Sequence, residues 1–236
     1  MMKGGPEGPP FFVWHSSLAA PRARRHKFTM TSWWDQNIVP RLIGCACQQP
    51  AVMKHRSLII PQAKGAVLEL GAGGGINAPF YDASKVTSLV GIDPSPALLG
   101  DAGAAWANGT IPSELRHGFA EDLPFKDAQF DTVVTTFTLC SVCDQVQSLA
   151  EARRVLKPGG QLLYLEHGSA PDAGPRLWQR RIEPIWKRIA GNCHLTRPIT
   201  TAVAANGFTV QSHQGAYMKK TPKFLGWVEW GSAKPA

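Results

Sequence analysis

A chain of 236 residues is long enough to bury one substantial core, and one domain is the natural count. Hydrophobic residues make up 44% and charged residues 18%, as in a folded soluble protein. No apolar run reaches the roughly 18 residues a membrane span needs, and no signal peptide with a proper apolar centre is present. The net charge is +8. Lys3, Arg22, Arg24, Arg25 and Lys27 against Glu7 put half of that excess in the first 30 residues. Such an arm can attract nucleic acid or anionic lipid. Its simpler reading is a solvated tail, so no nucleic-acid partner is expected and peripheral membrane contact stays open. Cys45, Cys47, Cys140, Cys143 and Cys193 form no paired CxxC set. They are read as reduced thiols of a cytoplasmic protein without a metal.

In chain order, residues 1–29 are rich in Pro, Gly and Arg and are expected to be disordered. A helical leader over 30–60 opens at Trp33 and Trp34 and is broken near Pro50. Residues 66–70 form a short apolar run with one acid, Glu69, which reads as a buried parallel strand. It breaks into Gly71, Gly73 and Gly75, residues that accept positive φ and let a ligand approach the backbone. A short helix is predicted from about Asn77 to Asp82. A second strand, 88–92, ends at Asp93, where a carboxylate can accept both hydroxyls of a ribose. Pro94, Ser95 and Pro96 turn the chain into a helix over about 96–107.

A third strand is expected near 115–118 and a β-branched fourth over 131–137. A helix over about 144–156 follows, with Asp144 as N-cap. The fifth strand, 161–165, closes on Glu166 and His167, and residues 171–206 form a helical insert rich in Arg and Trp. Two closing antiparallel strands are predicted at 208–213 and 224–230.

The glycine spacing is G-x-G-x-G, preceded by Glu69, and not the G-x-G-x-x-G that receives a pyrophosphate. With Ala120-Glu121-Asp122-Leu123-Pro124-Phe125, Phe130-Asp131-Thr132-Val133-Val134 and Arg154-Val155-Leu156-Lys157-Pro158-Gly159-Gly160, the chain resembles the class I S-adenosylmethionine (SAM)-dependent methyltransferases over about residues 60–168. The resemblance implies a Rossmann-like α/β fold: a mostly parallel seven-stranded sheet with helices on both faces. It also implies SAM as cofactor. Gly71, Ala72, Gly73, Gly75 and Asn77, with Glu69, would line its methionine and ribose. Asp93 would hold the ribose hydroxyls, Pro94 and Ser95 would be further cofactor-binding residues, and Ala120 and Glu121 would border the adenine. Thr138 and Leu139 would complete the pocket at the fourth strand's tip.

Methyl transfer needs alignment of nucleophile, methyl carbon and leaving sulfur more than any covalent chemistry. A thiol acceptor would be favoured as thiolate by a nearby cation. His167, His194 and Arg197 are the candidates for that role, with His167 also a candidate base. Cys140, Trp186 and Trp34 are candidate walls of an acceptor pocket roofed by the insert. Leu139-Cys140-Ser141-Val142, Leu165-Glu166-His167 and Gly191-Asn192-Cys193-His194-Leu195-Thr196-Arg197 together resemble the methyltransferase-like 7 group. That resemblance implies S-methylation of a small thiol such as hydrogen sulfide or methanethiol. The group's hydrophobic N-terminal membrane segment is not matched by these first residues, so membrane anchoring is not expected. A phospholipid-headgroup N-methyltransferase, a quinone C-methyltransferase and a non-catalytic SAM- or RNA-binding module remain as alternatives.

Overall fold

The computed structural model describes residues 47–107 and 109–236. The expected tail over 1–29, most of the leader, Trp34 and Cys45 lie outside these residues.

Alternation within each strand builds the molecule. Strand β1 (Gly65–Leu70) turns Val67 to one face of the sheet and Leu68 and Leu70 to the other. The central strand β4 (Phe130–Thr136) and the long strand β5 (Leu156–His167) do the same with Val133 against Val134 and Leu162 against Leu163. With β2 (Val86–Asp93) and β3 (Ser113–His117) they form five parallel strands. Strands β6 (Phe208–Tyr217) and β7 (Trp227–Pro235) close the sheet antiparallel, in the order β3-β2-β1-β4-β5-β7-β6.

Both faces are apolar, so both need a helical cover. Helices α3 (Gln145–Val155) and α5 (Ile199–Ala205) cover one face with Leu149, Ala152, Val155, Ile199 and Val203. On the other lie α1 (Pro50–Ile59) with Val52 and Ile59, and α2 (Pro96–Ala107) with Trp106. Helix α4 (Ala173–Ile189) and the four-residue turn α6 (Lys223–Gly226) complete the set. Asp144 caps α3 by accepting the Gln147 N–H at 3.0 Å. No described helix is long and apolar enough to cross a membrane.

Several boundaries differ from expectation. The helix expected over 77–82 is only a 3₁₀ turn, Ala78–Phe80, because Pro79 sits within a connection of fifteen residues between β1 and β2. Pro50 opens α1 at its first turn, where a missing N–H costs nothing. Strand β5 starts at Leu156, five residues early, because Leu156 pairs with Phe130 before a turn with Gly159 at φ +78°. Strand β7 starts three residues late, after α6.

Candidate active site

The carboxyl ends of β1, β2, β4 and β5 meet at one cavity, as expected where strand order reverses in an open α/β sheet. At the tip of β1, Gly71 has φ +68°, and a Cβ there would sit 2.1 Å from the Thr138 hydroxyl. Only glycine fits. Gly73 follows at φ +53° and donates its N–H to Asp93 Oδ2 at 2.9 Å. Asp93 Oδ1 accepts the Ser95 N–H at 2.8 Å. A carboxylate offers about four lone-pair sites, so two backbone bonds leave two acceptor positions at the cavity wall. Burial raises the Asp93 pKa, while those two N–H groups and His117 work the other way.

Beneath the glycine turn lies a buried polar lattice. Glu69 Oε1 accepts the Asn77 amide at 2.8 Å, and its Oε2 accepts the Tyr81 hydroxyl at 2.7 Å. Asn77 and Arg56 both donate to Thr136 Oγ1, at 3.0 and 2.8 Å. Arg56 also donates to the side-chain Oδ1 of Asn77. Burial pushes Glu69 up to about 7, although Tyr81, Asn77 and Arg56 all favour its charged form. The floor of the cavity therefore carries one cation and one titratable carboxyl side by side.

The far end is built from sulfur and imidazole. Cys193 Sγ lies 3.7 Å from Cys140 Sγ and 3.5 Å from His167 Nδ1. The contact with Cys140 and the charge of His167 hold Cys193 well below the ordinary thiol range, against its burial. The same contact and burial hold Cys140 above that range. Burial works against a charged His167, but Cys193 and Glu166 together raise its pKa. Glu166, fully buried behind this cluster, accepts the Thr135 hydroxyl at 2.7 Å and the N–H groups of Thr138, Leu139 and Cys140, each at 3.1 Å. Four bonds to one carboxylate fix the loop after β4. Trp186 of α4, with Ala190 and Gly191 just beyond, walls this end.

The cavity thus runs from Asp93, which keeps two acceptor positions unused among the described residues, past Gly71 and Gly73, to a thiol and imidazole cluster under an indole. Residues 68–164 match the family model described as a methyltransferase domain. The chain is 40% identical over 136 residues to the rat thiol S-methyltransferase TMT1B, covering 56% of this chain and 54% of that protein. It is 37% identical over 113 residues to the phosphatidylethanolamine N-methyltransferase of Cereibacter sphaeroides, covering 47% of this chain and 54% of that one. Over residues 68–164 the chain is thus similar in sequence to methyltransferase domains. It spans about half the length of these curated relatives. An S-adenosylmethionine dependent methyltransferase from Mesorhizobium loti shares its fold, with a TM-score of 0.60 at 18% identity over 78% of this chain and 98% of that one.

Of the expected site residues, Glu69, Gly71, Ala72, Gly73, Asn77, Asp93, Pro94, Ser95, Ala120, Glu121, Thr138, Cys140, His167 and Trp186 all line the one cavity. Four expected site residues do not. Gly75 serves packing: a Cβ there would meet Ala105 at 2.9 Å and Ala102 at 3.1 Å on α2. Leu139 is fully buried in the core and contributes only its backbone. His194 turns to Glu183 at 3.2 Å, and its N–H donates to the Cys140 carbonyl at 2.8 Å. Arg197 donates to the Leu139 carbonyl at 2.7 Å. These last two are braces between the insert and the loop after β4.

The residues missed are Arg56, Tyr81, Thr136 and Cys193. Arg56 and Tyr81 stand alone in their segments, with no spacing to mark them. Cys193 was visible only as part of a motif. Cys143 stands at CxxC spacing from Cys140, yet the partner of Cys140 is Cys193, 53 residues away. Cys143 is exposed, and its N–H is held by Glu121 at 2.8 Å.

Proposed function

We propose that this protein is a SAM-dependent methyltransferase whose acceptor is a small thiol. The observation that carries the reading is a single cavity joining a nucleoside corner to a sulfur and imidazole end. The chemistry of the residues present fits SAM. Asp93 holds the ribose diol on its two remaining acceptor positions. The amino-acid end of the cofactor has one cation and one anion, and the floor offers Glu69 and Arg56. When bound, SAM supplies a methyl group on a sulfonium. The chain's own part is to orient, to exclude water and to hold charge. His167, with its raised pKa, supplies positive charge that favours a thiolate acceptor. Trp186 and the insert over 171–206 roof the acceptor and keep it dry. The likeness to proteins named thiol S-methyltransferases supports the acceptor class. The cytoplasm suits the site, since Cys140 and Cys193 would stay reduced there.

A second reading has its own observation. Helix α4 exposes Trp178 (52%), Ile185 (66%) and Ile189 (46%) along one face, spaced as on a single helical stripe. Arg181 and Arg188 lie beside this stripe, and Arg176, Arg180 and Lys187 lie on the opposite side of the helix. A basic amphipathic helix beside the cavity mouth suits an anionic membrane surface. This supports peripheral contact and keeps a lipid headgroup as the alternative acceptor. Methyl-labelled SAM offered with sulfide, methanethiol or phosphatidylethanolamine vesicles separates the two. We expect label in methanethiol or dimethyl sulfide; label confined to lipid extract ends the thiol reading.

A further inference from the structure

The sequence reading assigned no metal to this chain. The fold nonetheless gathers Cys140, His167 and Cys193 so that one ligand atom from each lies within 4.8 Å of the others. All three line the cavity. We propose that they form a three-ligand site for a tetrahedral divalent ion of the zinc type, with its fourth position open to the acceptor end.

Geometry carries the case. A tetrahedral ion at about 2.3 Å from sulfur and about 2.05 Å from nitrogen spans edges of roughly 3.8 Å between two sulfurs and roughly 3.6 Å between sulfur and nitrogen. The Cys140–Cys193 and Cys193–His167 separations are 3.7 and 3.5 Å. Two of the three edges therefore already match such an ion, and the third, from Cys140 to His167, lies within 4.8 Å. Thiolate and imidazole together select a soft or borderline ion over calcium or magnesium. Three protein ligands and one open position is the arrangement of reactive zinc sites, whereas structural sites close all four.

The surroundings hold the ligands in place as a supporting shell does. Glu166 fixes the Cys140 backbone at 3.1 Å and adds negative charge that a cation would balance. The Cys193 and Cys140 loops are stapled by three bonds: His194 N–H to Cys140 O at 2.8 Å, Asn192 Nδ2 to Ser141 O at 2.8 Å, and Arg197 Nη1 to Leu139 O at 2.7 Å. Asn192 accepts φ +64° to reach its partner. A disulfide would need the two sulfurs alone and would give the imidazole no part. The occupant of the fourth position rests on the thiol reading: with the ion bound, His167 is a neutral ligand, the ion takes over the positive charge that favours a thiolate, and the acceptor binds through its sulfur and releases its proton to solvent.

The test is a cobalt(II) titration of the reduced, chelator-treated full chain. We expect one equivalent to bind, with thiolate-to-cobalt charge-transfer absorption and tetrahedral ligand-field bands, and zinc to displace it. Cys140→Ala and Cys193→Ser should each weaken binding about 100-fold or more, since losing even a supporting contact costs 10–100-fold. Cys143→Ser should leave the spectrum unchanged, and thermal unfolding checks that each variant is folded. A folded wild type showing no stoichiometric cobalt–thiolate band overturns the site. So does a band that survives the Cys140→Ala/Cys193→Ser double variant. Acceptor assays keep the two readings apart. Full-rate thiol methylation by the metal-free chain removes the ion's place on the acceptor and leaves the thiol reading standing. A one-to-one cobalt site in a protein that methylates only lipid upholds the ion site and removes the thiol reading.

Discussion

At Asp93 two backbone N–H groups have already been spent on the carboxylate, and what is left over defines the ligand. Hydrogen bonds to a charged group contribute about 1.5–3 kcal/mol each. Removing the carboxylate with Asp93→Ala should therefore weaken S-adenosylhomocysteine binding by about 100-fold or more in calorimetry. Thermal denaturation of the free variant tells lost binding from lost fold. Glu69 gives a pH-dependent prediction. Its pKa in the fold is about 7, above the 4.5 of an ordinary Glu, with burial the main cause. On the proposed reading, the cofactor's ammonium would lie next to it and favour the ionised form. Affinity for S-adenosylhomocysteine should then fall as pH drops below about 7, approaching tenfold per pH unit, with proton uptake on release. Glu69→Gln should flatten that profile. In the free protein the sign is opposite. A carboxyl with a raised folded pKa lends stability below about pH 4.5 that is lost as pH rises through about 7. An affinity profile unchanged by Glu69→Gln would remove Glu69 from the amino-acid end.

Individual segments show how far their chemistry can be read before folding. The sequence block from Ala120 to Phe125 and the Arg154 turn were recognisable as a pair of motifs. The structure supplies the physical link between them. Arg154 donates to the carbonyls of Phe125 at 2.7 Å and Leu123 at 3.0 Å, while Glu151 accepts the Leu123 N–H at 2.9 Å. The α3 helix thus pins the loop that borders the cavity. Strand tips were legible because apolar runs ending in Gly or Asp mark where a buried parallel strand leaves the core. The polar lattice was not, because Arg56 reaches Thr136 across 80 residues and no local period encodes such a contact. Cys193 was illegible as the partner of Cys140 for the same reason. Helix α4 is the segment with most left to show. Its inner side packs Ile182 and Trp186 on the core, and its outer side leaves Trp178 and Ile185 in solvent. Ile185→Asp reverses the character of the outer stripe without touching the inner one. We expect flotation with anionic vesicles to be lost in Ile185→Asp, while S-adenosylhomocysteine affinity is kept. Equal flotation of the two proteins would show that α4 is not the contact.

The whole molecule is a sheet clad on both sides, and that architecture makes a claim about how stability is distributed. Ile59 on α1 and Ile199 on α5 are both fully buried, but they sit in different clusters on opposite faces of the sheet. Each loses one methyl in an Ile→Val change, costing about 0.5–1.5 kcal/mol. Sites without shared partners add within about 0.3–0.5 kcal/mol. The double variant Ile59→Val/Ile199→Val should therefore lose the sum of the two single losses in denaturant unfolding. The slope of free energy against denaturant should not change, because the surface exposed on unfolding is nearly the same. Coupling well beyond that margin would mean that the sheet transmits strain from one face to the other. The cavity draws its walls from both faces, Cys140 and Trp186 on one and Ala72 on the other, so such strain would reach the site. S-adenosylhomocysteine affinity measured on the same three variants decides the matter: with independent faces it stays constant while stability falls in equal steps.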